Sequence, residues 1–313
     1  MPGRGLSLKT ATLIGLAWIL SGTPIFAQFD AAEPHTACLA ANLLSSAQAA
    51  GYMFRSYKNQ KTGDACLQVL RAGKVIFRRT IGNFGQFSLG QPADSADKIP
   101  TVENGTDLTG QGHPEMIVSL YTGGAHCCIL EYVFELEPAF KMLATLDAED
   151  SSFAHFAVIG DRFYYFANDW TFAYWRASFA DSPAPNVVLG FVPEGDGGSF
   201  HLSLDKMRSP EPAPEKWQAL LAAGRKSFNR NPRFPDGIDS TLWAKMLELI
   251  YSGHSNLAWK LVDEAWPQTR QGKDEFLTDF CSQLKTSPYW PDLEKAVTDP
   301  PTSCARAKAK LTD

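Results

Sequence analysis

Several absences narrow the reading before any motif is considered. The 313 residues contain no G-x-S-x-G, H-E-x-x-H, G-x-x-x-x-G-K-S/T or G-x-G-x-x-G string. The common signatures of hydrolase elbows, zincins and nucleotide loops are therefore missing. Positive charge is scarce as well: 29 Lys+Arg stand against 34 Asp+Glu. That balance gives no footprint for nucleic acid or for an anionic membrane surface. Beyond the first 27 residues no run is apolar enough to cross a bilayer, so the chain is expected not to be membrane-spanning.

Those first residues have the order of an export signal. Arg4 and Lys9 precede the apolar stretch 11–20, and Ser-Gly-Thr-Pro-Ile-Phe-Ala follows. Cleavage after Ala27 is expected, placing the mature chain in the periplasm or outside the cell. It would remove two of the 29 basic residues and none of the 34 acidic ones, for a net charge of −7. All six cysteines survive, and an even count in an oxidising compartment favours pairing. Cys281 and Cys304 are expected partners. Cys38 and Cys66 would join each other or Cys127 and Cys128, while a bond between adjacent Cys127 and Cys128 would strain the intervening peptide.

The texture changes along the chain. Residues 28–51 hold an Ala/Leu/Ser-rich segment read as one short helix. Residues 52–208 hold short β-branched and aromatic runs bounded by Gly, Asn or Asp, the pattern of antiparallel strands, with Ala72-Gly73 as a hairpin tip. Strands are expected at 66–70, 74–78, 117–121, 129–136, 139–147, 153–159, 162–168, 171–177, 186–191 and 199–204. Residues 209–215 carry three prolines and read as a linker. Residues 216–313 have a helical period. Helices are expected around Trp217 to Phe228, after Asp239-Ser240 up to Gly253, from Leu257 to before Pro267, over 273–284 and over 291–297.

One segment concentrates chemistry: Asp107 to Cys128, DLTGQGHPEMIVSLYTGGAHCC. Its first nine residues, followed by Met-Ile-Val, resemble the calcium loop of the FG-GAP or integrin-type β-propeller repeat, D-x-D-G-D-G-x-x-E/D leading into a strand. The resemblance implies side-chain ligands at Asp107, Thr109, Gln111 and Glu115, and the backbone carbonyl of His113. Two carboxylates of the full motif are replaced by Thr109 and Gln111, so the implied calcium site is weak, since affinity follows ligand charge. The likeness extends from about residue 64 to 208. A closed propeller needs at least four blades, however, and this length holds about three.

His126, Cys127 and Cys128 allow three chemistries: a soft-metal site that His113 would complete, a Cys/His nucleophile pair, or disulfide architecture. Disulfide architecture fits the compartment best, with one cysteine fastening its strand to the N-terminal segment. The aromatic stretch 163–175 suits either a two-sided core or a surface for a protein or glycan ligand. The remaining histidines, His201 among them, show no ligand spacing.

These features define an α+β chain: an antiparallel β-rich part, partial-propeller-like or sandwich-like, followed by a small all-α part. The expected role is a non-enzymatic exported binding or structural protein in envelope recognition or assembly. The alternative is a metal-dependent hydrolase acting on envelope material, its metal at Asp107 and Glu115 or near His126.

Overall fold

Four-residue turns with Ala-Gly at their centre reverse the chain twice near its start. At Ala50-Gly51 and again at Ala72-Gly73 both residues have positive φ, between 45° and 78°. That is the backbone of the two-residue turn whose twist matches paired strands. The computed structural model describes residues 37–82, 84–124, 128–151, 153–229, 234 and 236–308. The expected export signal lies outside these residues.

The two hairpins build a first sheet from β1 (Leu43–Ala49), β2 (Tyr52–Lys58), β3 (Ala65–Arg71) and β4 (Lys74–Ile81). A second sheet follows from β5 (Gln86–Leu89), β6 (Glu115–Tyr121), β7 (Ile129–Glu135) and β8 (Lys141–Glu149). The third contains β9 (His155–Ile159), β10 (Arg162–Asn168), β11 (Asn186–Glu194) and β12 (Gly197–Leu202). Every pairing is antiparallel between consecutive strands, so each sheet is a four-stranded meander.

Helices complete the chain: α1 (Leu204–Met207), α2 (Pro214–Lys226), α3 (Thr241–Tyr251), α4 (Ser255–Ala265), α5 (Lys273–Leu284), α6 (Trp290–Leu293) and α7 (Thr302–Arg306). Pro214 opens α2, where its missing N–H costs nothing. The Asp239 carboxylate accepts the Thr241 N–H at 3.0 Å at the head of α3, whereas Ser240 makes no side-chain cap. Gly253, with φ of 83°, follows the end of α3.

Two local expectations fail. The helix expected up to Gly51 is instead a single 3-10 turn, Ala40–Asn42, leading into β1. Alanine favours helix intrinsically, but the Ala50-Gly51 turn brings Ala47 and Ala49 against the first core, and packing prevails. The strand expected over 171–177 is a run of turns, with Tyr174 and Arg176 at φ of 58° and 54°. There the rings of Phe172 and Trp175 leave the sheet direction to meet Phe280 and Trp243 of the helices.

Two cores result. Phe54, Leu67 and Val69 of the first sheet meet Met116, Val118 and Phe134 on one face of the second. The opposite face, through Ile117, Val133 and Leu146, joins the third sheet and the helices in one larger core that includes Trp243, Met246, Ile250, Leu261 and Phe280. The helices thus share their apolar interior with the third sheet across the Pro-rich stretch. Disulfides Cys38–Cys66 and Cys281–Cys304 tie the first strand's approach to β3 and α7 to α5.

One carboxylate joins the sheet to the helices. Asp169, just past β10 and 1% exposed, accepts the hydroxyls of Tyr251 from α3 and Ser287 from the turn after α5, the latter at 2.5 Å. Its other oxygen takes the Thr171 N–H at 2.8 Å. Burial, then the adjacent Asp169 charge, pushes the Tyr251 hydroxyl well above its ordinary range, so it remains a donor. Removing the acceptor strands buried donors, each costing about 1–3 kcal/mol. Asp169→Ala should therefore lower urea-determined stability by about 3 kcal/mol, and a loss below about 1 kcal/mol would show that the contact carries little.

Candidate functional site

The loop before β6 closes on two carboxylates. Asp107 Oδ1 accepts the N–H groups of Gly110 at 2.7 Å and Gln111 at 3.1 Å, and Oδ2 accepts that of Gly112 at 2.8 Å. The chain curls this tightly because Gly110 and Gly112 take φ of 75° and 79°. Glu115, buried at the start of β6, accepts the Leu108 N–H at 2.6 Å and the Thr109 hydroxyl at 3.0 Å. Burial pushes the Glu115 carboxyl up to about 7, against the pull of the Leu108 and Thr109 bonds, and the Asp107 charge adds to the rise.

The expected ligands therefore assemble in part. Asp107, Thr109 and Glu115 converge, with the Thr109 hydroxyl also 3.3 Å from Asp107 Oδ1. Gln111 contributes its backbone N–H. The His113 imidazole turns away, to 3.4 Å from Glu135, which Lys141 pairs at 2.8 Å. That 3.4 Å contact is an electrostatic approach, because His113 Nδ1 makes no hydrogen bond among the described residues. Each oxygen of the two carboxylates already has a donor, so the loop holds its shape unaided. These residues fit a hard cation only weakly, since it would have to enter where Thr109 now bridges Asp107 and Glu115.

The cysteines pair as one of the two expected alternatives has it, Cys38 with Cys66 and Cys281 with Cys304. With Cys38 and Cys66 joined to each other, neither is left to fasten Cys128 to the N-terminal segment. Cys128 is itself disulfide-bonded, and no described cysteine is free. His126 and Cys127 lie outside the described residues. The aromatic stretch is largely core: Tyr165, Phe172 and Trp175 are buried, and Tyr174 stands out at 61% exposed.

A second constellation escaped the sequence reading. Ser119 on β6 and Glu131 on β7 sit directly opposite each other, on the face of the second sheet that carries Ile117 and Val133. Beside them opens a cavity of about 310 Å³, walled also by Gln91, Asp94 and Tyr121. Gln91 fixes that wall by exchanging two hydrogen bonds with the backbone of Phe156, at 2.7 and 2.8 Å, as a strand neighbour would. Glu131 is 6% exposed, and the Ser119 hydroxyl lies 2.9 and 2.8 Å from its two oxygens. One hydroxyl supplies one proton, so among the described residues one oxygen is a donor short.

Burial pushes the Glu131 carboxyl up to about 7, with the Ser119 bond pulling the other way. Glu149 also rises to about 7, through burial and then the charges of Asp169 and Asp147. The sequence did hold a signal for Glu131: it is the one charged residue within Ile-Leu-Glu-Tyr-Val-Phe, on the alternation that faces the core.

Compared with known families, curated proteins and solved structures, the chain gives no match. The site is therefore read from its chemistry alone.

Raised carboxyl pKa values carry a sign. The folded state of a group shifted from 4.5 to about 7 holds its proton over a range where the unfolded chain has lost it. Stability from Glu115, Glu131 and Glu149 is thus full below about 4.5 and falls as pH rises through 7. The melting temperature should drop between pH 5 and pH 8, and Glu131→Gln should flatten that slope. A flat or rising wild-type profile would contradict the assignment.

Proposed function

We propose that this chain is an exported recognition protein whose cavity over Glu131 receives the ammonium or guanidinium group of a ligand. The observation that carries the reading is a buried carboxylate, one donor short among the described residues, opening on a cavity whose described lining includes no Lys or Arg. A cation brings both the missing N–H donor and the opposite charge, and such charge-assisted bonds are about twice as strong as neutral ones. Asp94 in the same wall adds a second acidic group. The fully buried Tyr165 hydroxyl, without a hydrogen-bond partner among the described residues, lies near enough to Glu131 for that charge to help raise its pKa. A volume of about 310 Å³ suits a small amine or one side chain.

Export fits the rest of the molecule. Disulfides persist in oxidising compartments, and no helix among the described residues is long and apolar enough to cross a membrane. The loop from Asp107 to Glu115 serves in this reading as a structural clasp, related to the FG-GAP calcium loop and holding calcium weakly.

Two measurements test these parts separately. Calorimetry at pH 8 should detect benzylamine binding to the wild type, at least about tenfold weaker binding to Glu131→Gln, and none of benzyl alcohol. Equal binding of amine and alcohol, or no amine binding, would overturn the reading. For the loop, 10 mM calcium at pH 8 should raise stability by about 1.4 kcal/mol if the dissociation constant is about 1 mM. Asp107→Ala should abolish the rise, whereas no rise in the wild type would leave a turn that binds no cation.

A further inference from the structure

Ser199 and His201 lie two residues apart on β12, so the strand's alternation puts both side chains on one face. β12 is the outer strand of its sheet. α6 passes beside it and delivers Asp292, 91 residues further along. The three groups form a continuous chain. The Ser199 hydroxyl is 2.8 Å from His201 Nε2, and His201 Nδ1 is 2.9 Å from Asp292 Oδ2.

The acid is held in place from two further directions. Asp292 Oδ2 also accepts the Leu202 N–H at 3.2 Å, and Oδ1 takes the Lys295 ammonium at 2.9 Å. Burial would raise the Asp292 carboxyl, yet Lys295, His201 and the Leu202 amide together hold it below its ordinary value. As a carboxylate Asp292 can only accept, so His201 Nδ1 carries the proton and Nε2 turns a lone pair toward Ser199. The imidazole is 38% exposed and Asp292 16%, which leaves the base reachable and its orienting acid sheltered.

The ladder also directs an amide toward this edge. The Ser203 N–H bonds inward to Val188, whereas that of Leu202 points outward to Asp292. Alternation then turns the N–H of Phe200, the residue after Ser199, off the same open edge. The residue following a nucleophile commonly supplies such a donor to an acyl oxygen.

We propose that Ser199, His201 and Asp292 form an acyl-transfer site that hydrolyses carboxylic esters, with Ser199 as nucleophile, His201 as general base and Asp292 as a positioning residue. Ser199 Oγ bonds to the ester carbonyl carbon as its proton passes to His201 Nε2. The carbon–oxygen bond to the alcohol breaks, and His201 returns the proton to the departing oxygen. Water then attacks the acyl-serine, giving a proton to His201, and that proton returns to Ser199 Oγ as the acid leaves. Ester and water become acid and alcohol, and no metal or redox partner is needed. This site lies on a different sheet from Glu131 and does not rest on the binding reading.

The test is covalent labelling of the folded wild-type chain with a fluorophosphonate, followed by peptide mass mapping. A single adduct at Ser199 is expected, absent in Ser199→Ala. His201→Gln should slow labelling about 100-fold, the scale of a lost general base. Asp292→Asn should slow it at least about tenfold with p-nitrophenyl acetate KM unchanged, and Asp292→Glu should recover part of the loss. No adduct on the folded wild type, an adduct elsewhere, or equal rates in wild type and His201→Gln would overturn the proposal and leave the contact as a tie between β12 and α6. The wild-type label decides the matter even if a variant fails to fold.

Discussion

The Asp169 carboxylate is the constraint on which the arrangement of sheets and helices turns. It sits where β10 ends and the chain must leave the sheet, and it is satisfied only if α3 and the turn after α5 come to it. A buried charge without donors is costly enough to reject other packings, while one with three donors is tolerated. Its neighbourhood is correspondingly fixed: Thr171 follows it, and the Gln283 side-chain amide donates to the Thr171 carbonyl at 2.6 Å. Nearby, Arg176 binds Asp236 and Asp279 and lies over the Trp175 ring. Polar bonds thus set the orientation of an interface whose energy comes mainly from aromatic burial.

The three acidic positions beyond this tie show how one type of side chain serves different ends. Asp107 gathers three amides and becomes the pivot of a turn. Glu115 closes the same turn from the other side but is buried deeply enough to keep its proton near neutrality. Glu131 is also buried but has one hydroxyl donor where Glu115 has two donors, and a cavity in front of it. Donor count and access separate the clasp from the proposed receptor.

What the sequence made legible was local. Ala72-Gly73 named its turn, the helical period over 273–284 gave α5 residue for residue, and Cys281 and Cys304 were close enough along the chain to be paired. The misses were tertiary. β1 has the composition of a helix and is a strand because a partner lies beside it. Residues 171–177 have the composition of a strand and become turns because rings are drawn to the helices. Glu131 was readable as a charge on a core-facing alternation, but its missing donor was not. The approach of Asp292 to His201 spans 91 residues, and no spacing rule reaches that far.

The Pro-rich stretch 209–215 takes on another meaning once the shared core is considered. It looks like a natural place to divide the molecule, yet the interior it crosses belongs to both sides. Neither Cys38–Cys66 nor Cys281–Cys304 spans it. A protease cutting there would sever the backbone without opening the fold, leaving two fragments joined by burial and by the bonds around Asp169. The stretch is a seam in the chain but not in the protein.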